Sequence, residues 1–122
     1  MDAAPLLSSR LTKARESVCT VGERMKFTVL RPTQMEDSER RHRLHGDEMA
    51  IAFETINANV IGWQDVLESD IERGGASDPV KFTPELWRNW VADRPDLWLP
   101  IWEHVLKKLN EYAISTEQQK GN

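Results

Sequence analysis

The chain has one cysteine, no apolar run near the length of a membrane span, no excess of positive charge and no glycine-rich phosphate loop. Each absence removes a class of function. Cys19 alone builds no disulfide framework and points to a reducing compartment, where it reads as a small residue on a helix face. A membrane helix needs roughly 20 consecutive apolar residues, so no membrane partner is expected. The start, MDAAPLLSSRLTK, lacks a basic stretch followed by a long apolar block, so no signal peptide is expected either. The formal net charge is −4. Residues 1–50 hold nine Lys/Arg against eight Asp/Glu, whereas residues 51–122 hold seven against twelve. The acidic second half argues against a nucleic-acid partner, because phosphate binding needs positive surface.

Catalytic patterns are also missing. Ser, His and Asp occur without a nucleophile elbow. His42 and His45 lie three apart, a spacing that brings both to one helix face, but no Cys or third His stands near them. Asp47 and Glu48 would have to complete the set, and the surrounding ERRHRLHGDE reads as a solvated charged face. His104 follows Glu103 directly, and adjacent helical residues do not face each other. These patterns imply no enzyme, no cofactor and no metal.

What remains is a chain of 122 residues, 39% hydrophobic and 30% charged, long enough to bury about two-thirds of its unfolded surface as one domain. Local signals predict mostly helix. Pro5 opens a first helix over 5–20 with Leu7, Leu11, Ala14 and Val18 on one face, stopped by Gly22. Residues 26–31, around Phe27, Thr28, Val29 and Leu30, read as one extended segment ended by Pro32. It would lie along helices or pair with a neighbouring chain. Thr33 and Glu36 form a capping-box pattern at the head of a helix over 34–58. Gly46 either kinks that helix or breaks it, with Asp47 as a fresh cap, and the kinked single helix is preferred. Residues 68–79 form a polar loop. Thr83 and Pro84 open a short helix bearing Trp87 and Trp90. A last helix follows from Asp96, with Trp98, Ile101, Trp102, Val105, Leu109 and Tyr112 as its stripe. The expected fold is therefore mainly α: a small helical domain with one short extended segment and a C-terminal helical pair. Residues 1–25 form an N-terminal helical arm, and residues 114–122 a frayed tail.

Four of the five tryptophans, Trp87, Trp90, Trp98 and Trp102, crowd into FTPELWRNWVADRPDLWLPIW. Each buries some 150–250 Å² when enclosed. Phe27, Phe53, Phe82, Trp63 and many aliphatics already supply a core. Trp is also enriched at interface hot spots. The expectation is that Trp87, Trp90, Trp98, Trp102, Val105 and Leu109 both close the fold and present an apolar strip to another protein or to a second copy. A helix-turn-helix reading of the last two helices places Leu97, Trp98, Leu99 and Pro100 where base-reading side chains would stand, which disfavours DNA binding.

The order of short motifs resembles the phage tail assembly chaperones, encoded between the tail tube and tape measure proteins of long-tailed phages. The motifs are Arg31-Pro32-Thr33 closing an extended start, Ile61-Gly62-Trp63, and Val80 to Glu85 with Thr83 and Pro84 leading into the last helices. They span about residues 26–122, and residues 1–25 lie outside the pattern. The resemblance implies a mostly helical, non-catalytic protein of the host cytoplasm. It would bind the tape measure protein, self-associate and be absent from the mature virion. It also implies a longer form, made by a −1 ribosomal frameshift, that recruits tail tube protein. Lys120-Gly121-Asn122 permits a GGGAAAC slippery heptamer, which would make this chain the short, unshifted product. The rival expectations are a small helical DNA-binding regulator and a structural tail component retained in the virion.

Overall fold

A computed structural model describes residues 2–120, so the reading that rests on Gly121 and Asn122 lies outside the described residues. Helix α1 (Ala4–Ala14) comes first, with Pro5 in its first turn and the Asp2 carboxylate accepting from the Ala4 N–H at 3.0 Å. The helix expected over 5–20 ends there. Strand β1 (Glu16–Val21) follows and pairs antiparallel with β2 (Met25–Leu30), from Glu16↔Leu30 to Val21↔Met25. Gly22 sits in the three-residue loop between them at φ 68, a left-handed conformation that suits glycine. On β1, Cys19 and Val21 face inward while Val18 and Thr20 face solvent, so the alternation of period two governs this segment.

Helix α2 (Gln34–Arg43) starts at a complete capping box. Thr33 Oγ1 accepts from the Glu36 N–H, and the Glu36 carboxylate accepts from the Thr33 N–H. The single helix expected over 34–58 is two helices. His45 and Gly46 adopt φ 53 and 71, and the Gly46 N–H donates back to the Arg41 carbonyl, which closes α2 as a left-handed C-terminal cap. The Asp47 side chain then accepts from the Ala50 N–H and opens α3 (Glu48–Asn59).

Strand β3 (Val60–Gln64) leaves α3 directly and pairs antiparallel with β2, with an irregularity between Thr28 and Val29. The sheet order is β1-β2-β3. The mainly α expectation is therefore corrected to an α+β fold, 60% helical with 16% strand in a three-stranded antiparallel sheet. The extended segment at 26–31 is the central strand, and both its partners come from this chain.

The polar 68–79 stretch contains one helical turn, α4 (Glu68–Ile71), and folds back on itself. Glu68 N–H donates to the Asp78 carbonyl, Ser69 N–H to Ala76, and Val80 N–H to Val66. Helix α5 (Pro84–Val91) is capped by Thr83 Oγ1, which accepts from the Leu86 N–H. Helix α6 (Pro95–Lys120) runs without a break over residues 114–120, the described part of the tail expected to fray. Pro100 lies inside it, and so removes one of its early hydrogen bonds.

The inner sheet face, with Cys19, Val21, Phe27 and Val29, packs on Ile51, Ala52 and Ile56 of α3, Trp87, Trp90 and Val91 of α5, and Leu97, Ile101, Trp102 and Val105 of α6. No helix among the described residues is long and apolar enough to cross a membrane.

Candidate partner-binding surface

The tryptophan strip is turned inward. Trp87 is completely enclosed, Trp90 and Trp102 are 6% and 7% exposed, and Val105 is buried. Trp98 and Leu109 are half-buried against the core. Trp87 sits at the centre, its Nε1 donating to the Ile56 carbonyl at 3.1 Å and its ring 5.2 Å from Phe27 and 6.0 Å from Trp90. Trp63 of β3 joins from the sheet, 5.6 Å from Trp90 and 4.9 Å from Phe82, with its Nε1 donating to the Val80 carbonyl. Gly62 beside it faces Thr28 across the sheet. The three-stranded sheet explains the difference. Its inner face adds an apolar layer that a purely helical bundle would not have, and five aromatic rings fill the space beneath it.

The uncovered apolar surface lies elsewhere. Helix α1 buries none of its 11 residues, and Leu6, Leu7 and Leu11 are 62%, 51% and 71% exposed. Isolated helices this short are marginal in water. Helix α1 carries two cations, Arg10 and Lys13, and no acidic residue. Helix α6 adds exposed Leu99, Leu106, Tyr112 and Ile114. The α6 stripe thus divides: its first half enters the core, and beyond Leu109 it emerges as Tyr112.

Between α1 and α6 lies an open cleft. One half is lined by Leu11, Ala14, Arg15, Arg31, Thr33, Gln34 and Tyr112, and the other by Ser17, Arg31, Lys108, Glu111 and Tyr112 among others. Arg31 stacks on Tyr112, its guanidinium carbon 3.9 Å from the ring centroid. Pro32, next to it, is fully buried.

The charged ERRHRLHGDE segment is an ion-pair lattice between α2 and α3. Arg41 holds Asp37 at 2.9 Å and Glu48 at 2.5 Å, and Arg43 holds Glu39 at 2.7 Å and also reaches Glu54. Arg40, only 8% exposed, reaches Glu36 at 3.7 Å and donates to Thr55 Oγ1 at 3.4 Å. His42 and His45 remain exposed beside this lattice. No group of three His, Cys, Asp or Glu that could hold a metal occurs among the described residues.

One contact was invisible in the sequence: Ser17 Oγ lies 2.7 Å from His104 Nε2, joining β1 to α6 across 87 positions. Burial pushes the His104 imidazole below its ordinary value, and Lys108 and Lys107 add to the shift. Residues so distant along the chain meet only once β1 is known to be a strand above α6. Burial also raises the Cys19 thiol above its ordinary value.

No protein-family model, curated protein or solved structure matches this chain.

Proposed function

We propose that this chain is a non-enzymatic assembly chaperone for phage tails, which binds the apolar, helical tape measure protein in the host cytoplasm. Two things support the reading. The first is the motif order in the sequence, from Arg31-Pro32-Thr33 through Ile61-Gly62-Trp63 to Thr83-Pro84. The second, and the observation that carries it, is α1: an amphipathic helix with no buried residue, which needs another polypeptide to cover Leu6, Leu7 and Leu11. The binding face accordingly moves from the tryptophans to α1 and the outer side of α6. Self-association, recruitment of tail tube protein by a frameshift-extended form and absence from the finished particle belong to the same proposal.

Co-expression tests it. The tape measure protein from the same genome should remain soluble and co-purify with the wild-type chain. The Leu7→Ser/Leu11→Ser variant should lose that effect while keeping its circular dichroism spectrum. A tape measure protein that aggregates equally with and without the chain would remove the proposal. Retarded DNA in a gel shift would favour the regulator instead, and recovery of the chain from purified virions would favour a structural component.

A further inference from the structure

Five arginines in this fold are buried or half-buried: Arg15, Arg31, Arg40, Arg41 and Arg94. Four of them meet a carboxylate. Arg15 pairs with Glu36 at 3.0 Å, Arg40 with Glu36 at 3.7 Å, Arg41 with Asp37 at 2.9 Å and Arg94 with Asp96 at 2.9 Å. Arg31 meets none among the described residues. Its one side-chain hydrogen bond runs from Nη1 to the neighbouring Pro32 carbonyl at 2.9 Å, and its plane rests on Tyr112. A partly desolvated guanidinium stacked on an aromatic ring, with donors left over, is the arrangement used to hold a planar carboxylate. Burial draws the Arg31 guanidinium below its ordinary value, with Arg15 acting in the same direction and Tyr112 and Glu36 against it.

We propose that Arg31 on Tyr112 is the seat of a carboxylate-binding cleft whose ligand is an acidic side chain on an amphipathic polypeptide. The cleft has two unequal halves. The half toward α6 holds Lys108, but Glu111 already occupies it at 3.4 Å, and Glu16 stands alongside. The half toward α1 is lined by Arg15 and Arg31, with Ser8, Thr12 and Gln34 as further polar groups. Glu36 already pairs with Arg15 at 3.0 Å, so Arg31 is the cation there with no carboxylate in ion-pair contact among the described residues. Its wall is Leu11 and Ala14. Leu11 lies one turn from Leu7 on the same face of α1, and both are exposed. A small anion would satisfy Arg31 and leave the leucines wet. A helix with Glu or Asp beside a leucine covers both, and charge complementarity places its carboxylate in the α1 half. This narrows the chemistry of the partner proposed above, and it stands whether or not that partner is a tape measure protein.

The test uses the full chain and a labelled amphipathic peptide of Leu and Glu about five turns long, with matching Leu/Gln and Leu/Lys peptides and inorganic phosphate as controls. Fluorescence anisotropy should show the Leu/Glu peptide binding at least about tenfold tighter than the other two, a difference that weakens with salt. Arg31→Gln should erase the preference, and Arg31→Lys should restore only part of it because the planar stack is gone. Tyr112→Ala, at an exposed position, should weaken binding and leave the melting temperature unchanged, so the proposal stays testable should Arg31→Gln unfold. Equal binding of the Leu/Glu and Leu/Gln peptides, or wild-type binding by both Arg31→Gln and Tyr112→Ala, overturns it. Inorganic phosphate displacing the peptide at equal concentration would reduce the site to a general anion trap and overturn the polypeptide assignment. Peptide binding together with failed tape measure rescue would remove the functional proposal and leave the cleft.

Discussion

The two tryptophans of α5 differ in one atom's surroundings. Trp87 Nε1 donates to Ile56, whereas Trp90 Nε1 is buried with no partner among the described residues. Replacing either indole by a benzene ring removes similar area. At Trp87 the change also removes a buried hydrogen bond to the Ile56 carbonyl, which keeps only the Val60 N–H, while at Trp90 it deletes an orphaned donor that costs about 1–3 kcal/mol where it stands. Trp87→Phe should therefore destabilise by about 2 kcal/mol and Trp90→Phe by much less. Urea denaturation of the two variants checks the order. His104 supplies a pH dependence. Its folded-state value is depressed, so the fold binds fewer protons than the unfolded chain. Stability on this account is full above the ordinary histidine value and falls as pH drops below it toward the folded value. Thermal melts between pH 7 and 5 should show that loss, and His104→Gln should flatten it. The carboxylates act lower. Asp70 is held down first by Arg24, against the opposing effect of burial and with help from the Leu67 N–H. Its contribution disappears only as pH falls below the ordinary carboxylate range.

Among the elements, the α2–α3 junction shows how one residue decides between two helical plans. Both capping signals were present in the sequence, Gly46 and Asp47, and the apolar stripe runs on either side of them. The left-handed backbone at His45 and Gly46 ends the first helix, and the Asp47 cap starts the second. Gly46→Ala places a Cβ in a left-handed site with open space around it, so backbone strain alone sets the cost. That cost is on the order of 1 kcal/mol, a loss of about 4 °C in melting temperature that calorimetry can read. The β1–β2 hairpin has the opposite history. ESVCTV and MKFTVL are two six-residue runs rich in β-branched residues around a glycine-bearing loop, a hairpin pattern. Leu7, Leu11, Ala14 and Val18 also match a helical period, and that coincidence carries the helix expectation past Ala14. The missing signal was the change of period at Arg15.

At the scale of the molecule, the chain's first 25 residues divide at Arg15. Residues 2–14 bury nothing, while β1 supplies Cys19 and Val21 to the core and Ser17 to His104. Deleting residues 1–14 should leave the melting temperature within a few degrees of wild type. Deleting residues 1–22 removes an edge strand and uncovers α6 and β2, and should leave a chain without a cooperative transition. Circular dichroism melts of the two truncations separate these outcomes. A partner docked on α1, as proposed, would cover Leu6, Leu7 and Leu11 without displacing any residue of the core.

Caps, stops and stripes were determined along the chain itself, because each depends on groups within about one helical turn. Thr33 with Glu36, Thr83 before Pro84, and the α6 stripe are of this kind. The sequence also determined that the aromatic residues would cluster. Which side of them faced water was decided only in three dimensions, by a sheet whose strands come from residues 16–21, 25–30 and 60–64. Strand pairing joins distant segments through backbone groups that every residue possesses, so side-chain periodicity records it weakly. Once the sheet forms, it covers Trp87 and Trp90 and leaves α1 and Tyr112 exposed and Arg31 half-buried outside that core.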